Sequence, residues 1–325
     1  MARKFLIMLT TIILFIFGFV ILIKGADWLV DGSTSIAKRL NISTLVIGLT
    51  VVAFGTSAPE FFVSLFGGIS GEYDIVIGNI LGSNLSNILL ILGIASIIFP
   101  LSFKPSIVKK EIPLSLVALI ILAVMVDGWF VGANSFSGIN RVDGLILIAL
   151  FFSFLYYVYI MRKKIPAEQE TEIKLRTKTK SWLMIIFGTI GLAAGGKLIV
   201  EGALDIASIF GVSQSIIALS IIAIGTSLPE LATSTIAAYR KNSNIAVGNI
   251  IGSNIFNIFW ILGISSIIHP LSFSSKLIPD LLIVASATIL LFLFMFLGKR
   301  YELKRWQGII FVLLYIGYIV SLIYR

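Results

Sequence analysis

Apolar residues in this chain come in long blocks separated by short polar breaks. Residues 5–23, 182–194 and 281–297 are almost unbroken apolar runs. Uncharged runs of about 18 or more residues read as membrane-crossing helices. On this basis ten spans are expected, at about 5–23, 41–69, 75–99, 112–126, 143–161, 182–200, 213–238, 244–268, 278–297 and 307–324. The fold class expected is an all-α integral membrane protein. The first run follows Met1-Ala-Arg-Lys4 and leads into Lys24-Gly-Ala-Asp27 without a small-x-small cleavage site, so it reads as a transmembrane helix and not as a signal peptide.

The one long polar stretch, residues 162–181, divides five spans from five. It predicts three units: a first five-helix repeat at 1–161, a linker at 162–181, and a second repeat at 182–325. Basic residues gather on the linker's side: Lys38, Arg39, Lys104, Lys109, Lys110, Arg240, Lys241, Lys299, Arg300, Lys304 and Arg305. The opposite loops hold only Arg141, Lys197 and Lys276, although Arg3 and Lys4 run against the trend. The positive-inside rule then makes the linker cytoplasmic and places both termini outside. The same rule accounts for the net charge of +9 without a nucleic-acid partner. Charged residues make up 13% of the chain against about 25% in soluble domains. With no Cys and a single His, thiolate chemistry and a multi-histidine zinc site are excluded.

The chain also repeats itself. Gly55-Thr56-Ser57-Ala58-Pro59-Glu60 returns as Gly225-Thr226-Ser227-Leu228-Pro229-Glu230, and Gly78-Asn79-Ile80-Leu81-Gly82-Ser83-Asn84 returns as Gly248-Asn249-Ile250-Ile251-Gly252-Ser253-Asn254. Asn87 matches Asn257, at the same offset (225 − 55 = 257 − 87 = 170). About half the positions between 43 and 103 equal their partners, which marks a duplication. Five spans per half force the second half to cross the membrane in the opposite sense, so the halves are expected to be inverted repeats with a site near the midplane.

The repeated motifs carry the polar chemistry. Glu60 lies in an otherwise uncharged stretch from about 40 to 71, and Glu230 is its twin. A carboxylate at membrane depth costs at least a few kcal/mol, so it marks function unless a buried ion pair accounts for it. Lys and Arg fall near span ends, leaving protonation or a bound cation. Pro59 and Pro229 lack an N–H and clash with the preceding turn, so each helix should kink and free backbone carbonyls. Thr56 and Glu60, four apart, share a face, as do Ser83 and Asn87, and the second half repeats both pairs. Hydroxyl, amide and carboxylate oxygens are the hard ligands that Ca²⁺ and Na⁺ prefer. Asn79, Asn84, Asn249 and Asn254 read equally well as polar contacts between helices. Asp27, Asp31, Glu201 and Asp205 read as loop carboxylates near span ends, and His269, beside Pro270, as structural.

These paired motifs resemble the two alpha repeats of the sodium/calcium exchanger family, over nearly the whole chain. The resemblance implies ten transmembrane helices in two inverted five-helix repeats. It implies Glu60 and Glu230 as shared central carboxylates, and Thr56 and Thr226 as Ca²⁺ ligands. Ser57 and Ser227 would line the Na⁺ region, and Ser83 and Ser253 would be Na⁺ ligands. Ala53 and Ala223 would contribute backbone carbonyls, and Asn87 and Asn257 would close the middle. Some prokaryotic relatives carry Asp at the position of Asn257, whereas here both copies are Asn. The short linker implies no Ca²⁺-sensing domain.

The expected activity is exchange of Na⁺ for Ca²⁺ across the cell (inner or plasma) membrane, with the two ions and lipid as partners. No cofactor, enzymatic activity or obligatory protein partner is expected. A Ca²⁺/H⁺ or K⁺-dependent antiporter on the same fold is the nearest alternative, and a cation channel a remote one.

Overall fold

In the computed structural model, residues 2–126, 138–162, 175–209 and 223–323 are described, with backbone alone for 2–10, 203–209, 223–224 and 323. Helix α1 spans Ala2–Arg39. Helix α2 is broken into α2a (Thr44–Thr56) and α2b (Ala58–Ile69), bent by 47°. Then come α3 (Tyr73–Ile98), α4 (Ile112–Val126) and α5 (Arg141–Met161). After the linker follow α6 (Lys178–Ile209), α7a (Ala223–Thr226) and α7b (Leu228–Tyr239). The chain ends with α8 (Ser243–Ile268), α9 (Ile278–Phe294) and α10 (Arg305–Ile323). Among the described residues seven helices are long and apolar enough to cross a membrane, or eight with bent α2 counted as one. Residues 213–222 of the expected seventh span, and 163–174 of the linker, lie outside the described residues.

Several boundaries differ from expectation, among them α6, which starts at Lys178 and runs to Ile209 where 182–200 was expected. Helix α1 runs unbroken to Arg39, well past residue 23, because the polar group Lys24-Asp27-Asp31 that ends the apolar run is itself helical and its two aspartates pair with Arg240. A π turn at Ile107–Glu111 lengthens α4 at its start.

Helices α3 and α8 form the centre, with 78% and 83% of their spanning windows buried, against 22–39% for the other candidate spans. Two short antiparallel pairings tie the loops. β1 (Leu101–Ser102) pairs with β4 (Glu302–Leu303), and β2 (Gly138–Ile139) with β3 (Leu271–Ser272). Pro100-Leu-Ser-Phe103 and its repeat Pro270-Leu-Ser-Phe273 supply β1 and β3. Tyrosines hold the entries of α4 and α9: Tyr157 donates to Glu111 at 2.5 Å, and Tyr318 to Asp280 at 3.2 Å.

α1 and α6 lie against each other along a glycine seam. A Cβ on Gly25 would meet Leu192 N at 2.8 Å, and one on Gly195 would meet Leu22 N at 2.6 Å. Gly18 faces Ile199 while Gly32 faces Ser181, so the helices run antiparallel. Gly18, Gly25 and Gly32 match Gly188, Gly195 and Gly202 at the repeat offset (188 − 18 = 202 − 32 = 170). Glycine lets two membrane helices approach to backbone contact, where dispersion replaces the missing hydrophobic drive.

Candidate functional site

The site forms where the two broken helices meet α3 and α8. In α2 the break falls at Ser57 (φ −81°, ψ 10°), and in α7 at Ser227 (φ −84°, ψ 3°). Each new helix begins one residue later with proline in its first turn, where the missing N–H is tolerated. Pro59 offers no N–H to the Gly55 carbonyl, so the break follows from the sequence at that point. Glu60 and Glu230 thus stand in the first turn of α2b and α7b, each only 1% exposed.

Hydroxyls surround the carboxylates in matched fashion. Ser83 donates to Glu60 Oε1 at 3.4 Å, and Ser253 to Glu230 Oε1 at 3.3 Å. Ser57 donates to Glu230 Oε1 at 2.7 Å, with the Ser57 and Ser253 hydroxyls 2.9 Å apart. Ser227 faces Glu60 but makes no such short bond. Thr56 donates to Asn249 Oδ1 at 3.0 Å, and Thr226 to Asn79 Oδ1 at 3.2 Å. Those asparagines in turn donate to Ser234 and Ser64, at 3.0 and 3.1 Å. The Ala53 carbonyl accepts from Ser57 N at 3.0 Å, and Ala223 opens α7a.

Four asparagines join α3 to α8. Asn87 Nδ2 donates to Asn254 Oδ1, and Asn257 Nδ2 to Asn84 Oδ1, both at 2.9 Å. A π turn at Ser86–Ile91 and another at Asn257–Leu262 accompany them. Such wide turns inside α-helices recur at functional sites.

Four of the unpaired acceptors are also matched. Glu60 Oε2, Glu230 Oε2, Asn87 Oδ1 and Asn257 Oδ1 are buried acceptors with no hydrogen-bond donor. Among the described residues no Lys, Arg or His forms an ion pair with either glutamate. A buried carboxylate without a donor or counter-charge is costly. Two of them, with amide oxygens beside, form an acceptor-rich pocket suited to a hard cation.

All twelve residues singled out in the sequence thus fall on or beside the two helix breaks and the crossing of α3 with α8. Ala223 lies where backbone alone is described. Asn79, Asn84, Asn249 and Asn254 make the polar contacts between helices that the sequence allowed, and these bonds tie one half to the other. Sequence reasoning misread Asp27 and Asp31. Both lie within α1 and are ion-paired with Arg240, and Asp31 also lies 3.4 Å from Arg176. Glu201 pairs with Lys197 at 3.7 Å, one turn away on α6. His269 stacks on Tyr73 and shares a 2.8 Å hydrogen bond with its hydroxyl.

Comparison with known proteins agrees with this geometry. The sodium/calcium exchanger protein family model matches residues 10–160 and 180–324. CaxA of Alkalimonas amylolytica is 38% identical over 320 residues, covering 96% of this chain and 98% of that protein. The sodium/calcium exchanger MaX1 of Methanosarcina acetivorans is 31% identical, covering 96% and 98%. The solved structure of the sodium-calcium exchanger NCX_Mj superposes with a TM-score of 0.81 at 34% identity, over 96% of this chain and 98% of that one. With the family model matched across both halves and relatives of this similarity along nearly its full length, the chain is a multi-pass membrane protein of the sodium/calcium exchanger family.

Proposed function

We propose that this protein is a secondary active antiporter exchanging Na⁺ for Ca²⁺ by alternating access. In this reading ten transmembrane helices form two inverted five-helix halves, 1–161 and 182–325. The linker at 162–181 is cytoplasmic and both termini are outside. The observation that carries the activity is the pair of matched, buried carboxylates, each with one unpartnered oxygen, ringed by hydroxyl and amide oxygens. The antiparallel run of α1 against α6, twins under the repeat, supports the inversion.

Glu60 and Glu230 give the pocket a charge near −2 when ionised. One Ca²⁺ balances that charge, as do Na⁺ ions in adjacent positions. Because both loads use the same carboxylates they exclude each other, which is the requirement for antiport. Thr56 and Thr226 serve Ca²⁺. Ser57, Ser227, Ser83 and Ser253, with the carbonyls of Ala53 and Ala223, serve Na⁺. Asn87 and Asn257 close the centre. α1 and α6 slide along the other helices to change access, as the family resemblance implies. Exchange that moves net charge follows the membrane potential at about 2.3 kcal/mol per charge per 100 mV.

The test is radioactive Ca²⁺ uptake by proteoliposomes loaded with Na⁺ and diluted into Na⁺-free buffer. Uptake is expected only with the outward Na⁺ gradient. Uptake indifferent to Na⁺ but driven by a proton gradient would recast the glutamates as a proton-binding pair. Uptake without any counter-ion would indicate a channel.

A further inference from the structure

We infer that Asn84 and Asn254, which no cation need touch, are positioning residues that fix which end of the neighbouring amides the cation meets. This rests on the pocket around Glu60 and Glu230 being the exchange site.

An asparagine amide has an acceptor end and a donor end of nearly the same size, and only its partners decide which points where. At the centre of this pocket the choice matters, because an NH₂ group turned inward would repel a cation that an oxygen would bind. Asn87 and Asn257 both have the choice made for them. The NH₂ group of Asn87 is taken by Asn254 Oδ1, and that of Asn257 by Asn84 Oδ1. The opposite ends, Asn87 Oδ1 and Asn257 Oδ1, are the ones left buried without a donor. Asn87 lies four residues beyond Ser83, which bonds Glu60, and Asn257 four beyond Ser253, which bonds Glu230. Asn84 is itself held, its Nδ2 reaching the Asn254 carbonyl at 3.3 Å. All four side chains are buried.

The arrangement crosses between the halves: each half orients the amide of the other. It also works only with amides at 87 and 257. An aspartate at 257 would have no N–H for Asn84 Oδ1 to accept. The amides at 84 and 254 and the amides at 87 and 257 are therefore a matched set.

A double-mutant cycle tests this, read by the half-saturating Ca²⁺ concentration for Na⁺-driven uptake and by the Ca²⁺-dependent rise in Tm of the purified protein. Asn84→Leu and Asn254→Leu should raise half-saturation about tenfold or more while the maximal rate stays within about threefold. Asn84→Asp keeps an acceptor for the Asn257 N–H and should restore half-saturation to within about threefold of the wild type. In an Asn257→Asp background, where there is no N–H to orient, adding Asn84→Leu should change half-saturation less than about twofold, and Asn254→Leu in Asn87→Asp should behave alike.

Equal effects of Asn84→Leu in both backgrounds would overturn the inference. So would a lower maximal rate and lower Tm at unchanged half-saturation, which is the signature of lost packing alone. A wild type that binds Ca²⁺ in the Tm assay but shows no Na⁺-driven uptake would refute the exchange reading instead, and the cycle would still be read from binding.

Discussion

Around the pocket most bonds of one half recur in the other, with Ser57 and Ser227 as the exception. Ser83 meets Glu60 as Ser253 meets Glu230, Thr56 meets Asn249 as Thr226 meets Asn79, and Asn87 meets Asn254 as Asn257 meets Asn84. At the linker end of α1 the match stops. Arg240, just past α7b, reaches across to Asp27 and Asp31 of α1. Arg176 adds a second ion pair to Asp31, and its carbonyl accepts from Arg39 at 2.6 Å. The positions equivalent to Arg240, Asp27 and Asp31 are Ser70, Lys197 and Glu201. There the two charges pair with each other along α6, and the position matching Arg240 carries none. Duplication kept the polar residues of the pocket and let the ends diverge. A pocket used from both sides needs equivalent ligands, whereas the two membrane faces have different work.

The match between the halves is tested most sharply at the glutamates. Glu60→Gln and Glu230→Gln should each cut Ca²⁺ uptake to about 1% of wild type, because losing a charged ligand forfeits about 3 kcal/mol, or roughly a hundredfold. Equal losses from the two variants would support one shared pocket. Wild-type flux in either would refute it. The serines beside them sharpen the comparison, because only Ser57 makes a short bond to a carboxylate. In Ca²⁺-free protein, Ser57→Ala should lose about 1.5–3 kcal/mol, and Ser227→Ala clearly less, as judged by thermal unfolding. Equal shifts would mean that the difference between the two halves at this point does not persist in solution.

How much of this was legible in sequence depended on whether a feature's cause was local. The breaks at Ser57 and Ser227 were readable, because proline acts on its own helix. The carboxylates were readable too, since a lone acid in an apolar stretch announces its cost. The length of α1 was not, because Asp27 and Asp31 look like a helix end until Arg240, more than 200 positions away, is seen to neutralise them. Nor were the π turns at Asn87 and Asn257, since one wide turn leaves no trace in a helical periodicity. The asparagine pairing was hidden for the same reason: its partners sit in opposite halves. The glycine seam was visible, at a spacing of seven in both copies and at the repeat offset (32 − 25 = 202 − 195 = 7), but carried meaning only once α1 and α6 were seen side by side.

That seam gives a symmetric prediction of intermediate size. Gly25→Ala and Gly195→Ala both drive a methyl into backbone, so each should cost about 1–3 kcal/mol. Gly317→Ala on α10 meets nothing within 4 Å and should cost nothing. Matched losses at 25 and 195 with none at 317 would identify the α1–α6 contact as one surface built twice. A loss at only one of the two would make the seam a feature of one half.

The smallest effect expected is also the one that addresses the asymmetry. The ion pairs of Arg240 are about one-third exposed, and exposed pairs contribute about 0–1 kcal/mol each. Arg240→Gln should therefore leave the fold and the pocket intact and act on the balance between conformations. The pairs hold α1 to the end of α7b on the linker side, so they favour whichever state keeps that side closed. If α1 slides during transport, losing them should shift apparent Ca²⁺ affinity in opposite directions on the two faces, by less than about tenfold. Right-side-out and inside-out vesicles separate the two measurements. High salt should weaken the wild-type pairs and reproduce part of the effect, while moving Arg240→Gln, which keeps only the Arg176–Asp31 pair, less. Equal shifts on both faces would place Arg240 in general stability. No shift on either face would mean that the ionic asymmetry has no bearing on which way the transporter faces.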